Sequence, residues 1–336
     1  MSLLCYLAYS IVGYAGLVAF FYLLAPISSK AGFVARSLAA YAALIICASY
    51  GILAALVLRP LGHDQIVQWT TGRAFKYVMG GATGVTFEVE DPNGVLDTVR
   101  PAVFIGNHQT ELDVLMLGCM FPKYCSVTAK KSLRNVPFLG QFMSLSGTVF
   151  IDRKNSQGAR DAMAGAAREM THRRQSVYMF PEGTRSYAKE PQLLPFKKGA
   201  FHLAVQAGVP IVPVVVANYA HILHFKSLTF KSGTVPVKGE NPFLVPFFSH
   251  PQTYAPMKCD ANLAKPPYEL VLDPIPTAGV KPEDVDELTR TTRDLFQKEY
   301  TALTERALGR PVAAPVSTGK DGVVHASGAD ATLSRK

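Results

Sequence analysis

Residues 102–118 read AVFIGNHQTELDVLMLG, and this stretch decides the fold that the sequence predicts. A short apolar run leads into Asn107 and His108, and a helix-like run, TELDVLMLG, follows. A strand that passes through a polar turn into a helix is typical of α/β proteins. Sites in such proteins lie at the carboxyl ends of the strands, which is where this pattern places His108.

The same stretch contains an acid, Asp113, five residues after His108. On one ideal helix, residues at this spacing lie about 140° apart and cannot touch. They meet only if His108 lies in the turn and Asp113 reaches back from the first helical turn. Asp113 would then accept the Nδ1 proton of His108 and leave Nε2 free to take a proton from an alcohol. Such spacings are common by chance, and the alternative is a helix-capping Asp113 beside a core histidine.

Short apolar runs alternate with longer helical ones over residues 82–308, which predicts an α/β domain. The predicted strands are residues 85–90, 102–106, 125–129, 148–151, 176–180, 211–216 and 269–272. Helices are predicted at residues 155–174, 197–207 and 281–308. Residues 221–267 lack a sustained period, so we interpret them as an insertion or long loop, and residues 309–336 as a disordered tail.

Residues 1–60 are predicted to form a membrane-anchoring pair of hydrophobic helices. Residues 3–25 carry no charge and would span roughly 34 Å as a helix, enough to cross a bilayer core. The linker PISSKAGFVAR precedes a second uncharged stretch at residues 37–58. Two models stay open, two crossings or a hairpin within one leaflet, because positive-inside statistics disfavour placing Lys30 and Arg36 across the membrane.

Residues 61–81 are predicted to be an interfacial or connecting helix between the anchor and the α/β domain. Its residues at helical spacing are Ile66, Trp69, Thr70, Ala74 and Val78. Trp69, Arg73, Lys76 and Tyr77 suit a lipid boundary, and a buried connecting helix is the equal alternative.

The composition favours an anionic partner, because the formal net charge is +9 and the pI is near 9.2. Phospholipid head groups, phosphorylated metabolites and nucleic acid all fit this charge. The five cysteines are scattered and include no CxxC pair, so neither a disulfide framework nor a zinc site is indicated.

Three further segments carry candidate functional residues. GTVFIDR at residues 147–153 ends in Asp152 and Arg153, which alone would most often be a surface ion pair. FPEGTRS at residues 180–186 supplies a glycine turn and Arg185, groups that can hold a phosphate or an oxyanion, with an ordinary charged turn as the alternative. GVPIVPVVVAN at residues 208–218 is uncharged and indicates a buried strand or an apolar wall.

In this order, NHQTELD, GTVFIDR, FPEGTRS and VPIVPV resemble the four sequence blocks of the 1-acyl-sn-glycerol-3-phosphate acyltransferase family, particularly its fungal endoplasmic-reticulum branch. TAKKSLRNVPFLGQFM and LPFKKGAFHLAVQAG, which lie between the blocks, also match. The resemblance implies an α/β domain with a mixed, largely parallel central sheet. It implies transfer of an acyl group from acyl-CoA to the sn-2 hydroxyl of lysophosphatidic acid, which yields phosphatidic acid for phospholipid and triacylglycerol synthesis.

By matching position, the resemblance implies that His108 is the general base and that Asp113 orients it. Arg153 and Arg185 would bind the glycerol phosphate, because a guanidinium can bind it in a bidentate manner. The resemblance assigns further substrate-binding roles to Glu182, Gly183, Thr184 and Lys131. The backbone N–H groups of residues 182–184 are a candidate source of oxyanion stabilisation.

The resemblance implies acyl-CoA as a co-substrate without any cofactor or metal, membrane lipids rather than nucleic acid as partners, and the endoplasmic reticulum membrane or lipid droplets as location. The main alternative is another acceptor, such as glycerol-3-phosphate or another lysophospholipid. A lipid esterase would need a nucleophilic serine elbow or an ordered water site, and no G-x-S-x-G elbow occurs. A non-catalytic membrane adaptor leaves His108, Asp113 and Arg185 unexplained.

Overall fold

The computed structural model describes residues 3–234 and 269–312, so most of the predicted insertion and of the predicted tail lies outside the described residues. The helices are α1 (Leu3–Leu24), α2 (Ser29–Leu58), α3 (Val67–Thr83), α4 (Val95–Thr98), α5 (Asp113–Met120), α6 (Leu139–Leu145), α7 (Ser156–Arg173), α8 (Gly199–Ala207) and α9 (Val285–Leu308). The strands are β1 (Val85–Thr86), β2 (Val89–Glu90), β3 (Val103–Gly106), β4 (Cys125–Lys130), β5 (Val149–Ile151), β6 (Ser176–Met179), β7 (Ile211–Val216), β8 (Leu223–His224), β9 (Thr229–Phe230), β10 (Gly233–Thr234) and β11 (Glu269–Val271).

A seven-stranded sheet in the order β2-β11-β7-β3-β6-β4-β5 forms the centre of the α/β domain. β3 pairs in parallel with β6 and β7, and β4 pairs in parallel with β6 and β5. β11 runs antiparallel to β7. The predicted mixed, largely parallel sheet is confirmed, and β3, β6 and β7 are buried along their whole length, as strands covered on both faces must be.

The path of the chain through this sheet brings one set of strand ends together. It runs from β3 outwards to β5 and then returns through β6 to β7. Right-handed crossovers therefore place α5 and α6 on one face of the sheet and α7 and α8 on the other. The carboxyl ends of β3, β6 and β7 share an edge. Two of the four sequence blocks, NHQTELD and FPEGTRS, begin at these ends, and most of VPIVPV lies in β7.

The single strand predicted at residues 85–90 is wrong. β1 pairs with β10, whereas β2 pairs with β11 in the central sheet. Phe87, between the two strands, is 4% exposed and contacts the Tyr219 ring edge-to-face at 5.4 Å between centroids. The chain leaves the strand conformation where this ring enters the core.

The predicted linker before the second hydrophobic stretch is largely helical, because Lys30 and Arg36 lie inside α2. Arg36 donates hydrogen bonds to the carbonyl oxygens of Thr83 at 3.2 Å and Phe230 at 3.3 Å. The charge is tolerated in this helix because the α/β domain satisfies the guanidinium.

One face of α2 packs against α3 and α6 along the whole length of the helix. Its buried residues are Ala31, Gly32, Ala35, Ala39, Ala43, Cys47, Ala48, Gly51 and Ala55. These small side chains allow a close approach, and a Cβ on Gly51 would clash with the Phe142 ring. α1, in contrast, has no buried residue. Both helices are long and apolar enough to cross a membrane by length and composition.

α3 buries a face that does not include Trp69, Thr70, Ala74 or Val78, which the sequence places at helical spacing. Its buried residues are Val67, Gln68, Thr71, Phe75, Met79, Gly80 and Thr83. The Gln68 side chain donates to the Ser146 carbonyl at 3.1 Å and accepts from the Val127 N–H at 2.8 Å. Three polar residues, Gln68, Thr71 and Thr83, therefore belong to the buried face, and an apolar pattern cannot reveal them.

Replacing Gly118 with Ala should destabilise the fold by about 1–3 kcal/mol. A Cβ on Gly118 of α5 would lie 2.7 Å from the Gly72 carbonyl oxygen and 2.9 Å from the Lys76 nitrogen, both in the backbone of α3. Gly81 of α3 has nothing within 4 Å of its Cβ position. Gly81→Ala should therefore stabilise slightly, by about 0.4–1 kcal/mol, as glycine replacement in a helix usually does. Unfolding midpoints of both variants in detergent measure this contrast, and shifts of the same sign would contradict it.

Candidate active site

His108 and Asp113 meet at the carboxyl end of β3. His108 lies in the turn after this strand, and Asp113 is the first residue of α5. Nδ1 of His108 is 2.6 Å from Oδ2 of Asp113, and the same oxygen accepts the backbone N–H of Gln109 at 2.7 Å. The arrangement that the spacing required, a turn followed by the first turn of a helix, is therefore present.

Phe180, directly after β6, fixes the plane of the His108 ring. The two rings stack with centroids 4.0 Å apart and an interplanar angle of 15°. Because Asp113 accepts the Nδ1 proton, the lone pair of the neutral ring is on Nε2. The His108 side chain is 19% exposed and lines a cavity, so a substrate can reach it. This geometry suits a general base.

The end of β7 holds the His108 turn through side-chain amides. Asn107 accepts a hydrogen bond from the Val216 N–H and donates one to the Val216 carbonyl, both at 2.9 Å. Gln109 Nε2 donates to the Ala217 carbonyl at 2.9 Å. The uncharged segment predicted as a buried strand or an apolar wall is a buried strand, and its end also anchors the turn.

Glu182 binds the His108 backbone and does not line the cavity. Its Oε1 accepts the His108 N–H at 2.7 Å, and its Oε2 accepts the Leu194 N–H at 2.9 Å. Burial raises the pKa of this carboxyl to about 7, although both N–H donors favour the ionised form. Because both oxygens are engaged with backbone groups, Glu182 positions the turn instead of contacting a ligand in this conformation.

Gly183 and Thr184 do line the cavity. Gly183 has a φ of 68°, in the left-handed region, and a Cβ there would lie only 3.0 Å from Nζ of Lys197. Its N–H donates to the Phe180 carbonyl at 3.0 Å. That N–H is therefore already engaged, which weakens the expectation that it stabilises an oxyanion.

Arg185 lies close to the His108 turn and is paired with an acid. Its Nη1 is 3.1 Å from Oε1 of Glu111, and the Tyr187 hydroxyl donates to the same oxygen at 2.7 Å. The Ser186 N–H donates to the His108 carbonyl at 2.9 Å, which joins the third sequence block to the first. Glu111 is part of NHQTELD, a motif in which the sequence predicts functions only for His108 and Asp113. A phosphate that binds Arg185 must share or replace this contact.

A cavity of about 1050 Å³ adjoins His108. Its charged lining residues are Lys130, Arg153, Arg160, Arg185 and Lys197, together with Glu111 and Asp161. The cations outnumber the acids, so the field in the cavity favours an anionic ligand. Arg153 and Arg185, which the resemblance assigns to the phosphate, both line this cavity.

Lys131 lies elsewhere. Its Nζ is 3.1 Å from Oδ2 of Asp152, and its side chain is 63% exposed. The neighbouring Lys130 lines the cavity in its place. The sequence gives two adjacent lysines at the end of β4, and only the course of the chain decides which one faces the cavity.

The remaining lining is mostly apolar, and its helical residues come from α2, α3, α5, α6, α7 and α8. These residues include Leu44, Phe75, Val114, Leu117, Leu139, Phe142 and Met143. Leu44 belongs to one of the two hydrophobic helices. The cavity therefore combines a basic part near Arg185 with an apolar part that reaches the N-terminal helices. Within residues 3–234 and 269–312, no group of three or more His, Cys, Asp or Glu is placed to hold a metal ion.

Comparisons with known proteins show the family. The sequence profile of the acyltransferase family matches residues 88–217. The 1-acyl-sn-glycerol-3-phosphate acyltransferase of Saccharomyces cerevisiae is 43% identical over 203 residues, which are 60% of this chain and 66% of that protein. The human 1-acyl-sn-glycerol-3-phosphate acyltransferase beta is 35% identical over 289 residues, which are 84% of this chain and 88% of that protein. The chain belongs to the 1-acyl-sn-glycerol-3-phosphate acyltransferase family.

Membership of this acyltransferase family confirms the resemblance drawn from the four sequence blocks. A crystal structure of the 1-acyl-sn-glycerophosphate (LPA) acyltransferase PlsC from Thermotoga maritima is similar, with a TM-score of 0.53 over 87% of this chain and 96% of that chain. At 18% sequence identity, this similarity shows a shared fold.

In this acyltransferase, replacing Glu182 with Gln should flatten the dependence of folding stability on pH. Between pH 4.5 and about 7 the unfolded state ionises this carboxyl, whereas the folded state, with the raised pKa, keeps the proton. Wild-type stability should fall as the pH rises through this window, and the variant should lack that part of the decline. Unfolding midpoints at pH 5 and pH 8 test this, with Glu169→Gln on the exposed surface of α7 as the control. Parallel declines in wild type and Glu182→Gln would contradict it.

Proposed function

We propose that the chain transfers an acyl group from acyl-CoA to the sn-2 hydroxyl of 1-acyl-sn-glycerol-3-phosphate. The products are phosphatidic acid, for phospholipid and triacylglycerol synthesis, and CoA. The observation that carries the proposal is the His108–Asp113 pair at a cavity that is basic in one part and apolar in the other. A phosphorylated glycerolipid combines the same two properties.

The hydrogen bond between His108 and Asp113 determines the path of the proton. Nε2 of His108 takes the proton of the 2-hydroxyl while that oxygen attacks the thioester carbonyl. The tetrahedral intermediate then collapses, and the departing sulfur receives the proton from the imidazolium, which Asp113 stabilises. No covalent acyl-enzyme is required, so both substrates are bound together.

The acceptor phosphate would bind Arg153 and Arg185 in the basic part of the cavity. Lys197, which packs over Gly183, adds a further cation within this part. The acyl chain that is transferred would occupy the apolar part between the helices. The names of the yeast and human relatives, which both specify 1-acyl-sn-glycerol-3-phosphate, support this acceptor.

One experiment tests the reaction and the acceptor together. Purified protein would be incubated with labelled acyl-CoA and, separately, with lysophosphatidic acid, glycerol-3-phosphate and other lysophospholipids. We expect labelled phosphatidic acid from lysophosphatidic acid as the main product. Labelled lipid from another acceptor alone would overturn the acceptor, and free CoA without a lipid product would indicate hydrolysis.

For the location, we propose the endoplasmic reticulum membrane, with α1 and α2 forming a hairpin in one leaflet. The support is that α2 packs against α3 and α6 from end to end, and that Arg36 bonds to the α/β domain near the start of α2. A helix held in this way along the catalytic domain is poorly placed to cross the bilayer. A hairpin in one leaflet also fits the monolayer of a lipid droplet.

A glycosylation acceptor segment inserted after Ile27, between the two helices, tests this topology. Two crossings would place this segment in the lumen, where it would be glycosylated, whereas a hairpin in one leaflet should leave it unmodified. Glycosylation of the Ile27 insert, with no glycosylation of the same segment placed at the C-terminus, would support two crossings and overturn the hairpin.

A further inference from the structure

Tyr219, three residues after the end of β7, contacts Asp113 on the side away from His108. Its hydroxyl lies 2.5 Å from Oδ1 of Asp113, whereas His108 binds Oδ2. Tyr219 is 1% exposed and does not line the cavity, and its ring packs edge-to-face on Phe87. Tyr219 directly follows the segment GVPIVPVVVAN, which ends at Asn218.

The partners of the Tyr219 hydroxyl determine the direction of its hydrogen bond to Asp113. The Thr110 N–H can only donate, and it points at the Tyr219 oxygen at 3.2 Å. An ionised Asp113 can only accept, so the phenol proton lies on the Asp113 side. The Thr110 hydroxyl, 3.0 Å away, then completes the set as a donor to the Tyr219 oxygen. Burial, and then the charge of Asp113, raise the pKa of Tyr219 well above its usual value, so the hydroxyl stays protonated.

We propose that Tyr219 is a positioning residue that acts on His108 through Asp113. The carboxylate of Asp113 has two oxygens, and the Tyr219 hydroxyl engages the one that His108 leaves open. This bond holds the carboxylate plane in line with Nδ1 of His108. It also withdraws charge from the carboxylate, which makes the imidazolium less stable.

Tyr219→Phe tests the proposal and keeps the ring that packs on Phe87. The inference rests on the proposed acyl transfer, because that reaction supplies the readout. We expect kcat to fall by about 2–12-fold, as loss of one hydrogen bond of typical net strength implies. The KM for the acceptor should change little, because Tyr219 does not line the cavity. The acid limb of the pH profile of kcat/KM should move to higher pH by roughly 0.5–1 pH unit.

Tyr300→Phe is the matched control. Tyr300 of α9 is as buried as Tyr219, but its hydroxyl accepts a hydrogen bond from Asn218 at 3.2 Å. This variant should leave the acid limb in place. An unchanged limb in Tyr219→Phe, or an equal shift in both variants, would overturn the proposal.

Other titratable groups surround the His108–Asp113 pair, and they are the same in wild type and in Tyr219→Phe. They are Glu182 and Arg185 after β6, Glu111 in the His108 turn and Tyr300 of α9. The difference between these two profiles therefore isolates the Tyr219 hydroxyl.

A second variant tests the proposal if Tyr219→Phe does not fold. Site-specific 3-fluorotyrosine at position 219 retains the hydroxyl and makes it a stronger donor, so the acid limb should move to lower pH. A limb that stays in place would again overturn the proposal.

Inactive wild-type protein would count against the proposed function alone. The titration of the His108 ring, followed by NMR in histidine-labelled protein, would then test Tyr219 separately. An identical ring titration in wild type and Tyr219→Phe would overturn the inference.

Discussion

His108→Ala should lower the rate of acyl transfer at saturating substrates by roughly 10²–10⁴-fold, the usual contribution of a positioned general base. The variant loses the imidazole that takes the proton at the cavity, while Asp113 keeps the Gln109 N–H and Tyr219 as donors. The measurement is the initial rate with labelled acyl-CoA and lysophosphatidic acid, together with the amount of protein in the membrane fraction, which should not change.

The control for this variant is His172→Ala. His172 lies in the last turn of α7, and its side chain is exposed. Its replacement should leave the rate near that of wild type. Transfer at the wild-type rate by His108→Ala would remove the general base from the proposed mechanism, and a loss from the membrane fraction would indicate misfolding instead.

Arg185→Ala should raise the KM for lysophosphatidic acid by roughly 30–150-fold, which corresponds to about 2–3 kcal/mol for a charge-assisted contact. Arg185→Lys should recover only part of this, because a lysine cannot provide bidentate geometry. The KM for an unphosphorylated acceptor, monoacylglycerol, should change little. Arg290→Ala on the exposed face of α9 is the surface control and should behave as wild type.

The double variant Arg185→Ala/Glu111→Gln separates two causes of the lost affinity, the missing Arg185 contact and the repulsion by Glu111. Removing Arg185 alone leaves Glu111 without its cation, so part of the lost affinity would come from repulsion between Glu111 and the phosphate. The double variant should recover that part and still bind more weakly than wild type. An unchanged response of Arg185→Ala to lysophosphatidic acid concentration would contradict a phosphate-binding role.

Most strands could be predicted because each is a short apolar run bounded by turn residues. The prediction at residues 211–216 coincides with β7, and those for β3, β4, β5, β6 and β11 differ by one residue at one end. The bounds and buried faces of the helices were not predictable where polar side chains are buried. Arg36 lies inside α2, and Gln68 lies on the buried face of α3, because partners distant in sequence satisfy their hydrogen bonds. Local periodicity cannot include those partners.

The candidate site was predictable only in part, for a similar reason. Motif residues such as His108, Asp113 and Arg185 are close to one another in the structure, as their blocks imply. Glu182 belongs to a motif, yet its carboxyl binds backbone N–H groups, and no residue pattern distinguishes that from a ligand contact. Lys197 and Tyr219 are outside the blocks and reach the site from the segment before α8 and the segment after β7.

The sequence by itself determined the family, the α/β class and the identity of the residues at the strand ends, because these depend on local patterns and on four ordered blocks. The tertiary structure decided which side chain meets which. Asp113 Oδ2 faces His108 and Oδ1 faces Tyr219, Glu111 is paired with Arg185, and Lys130 lines the cavity in place of Lys131. The reason is physical. A hydrogen bond requires the distance between donor and acceptor to be right to within a few tenths of an ångström, and the packing of strands and helices far apart in the chain sets that distance.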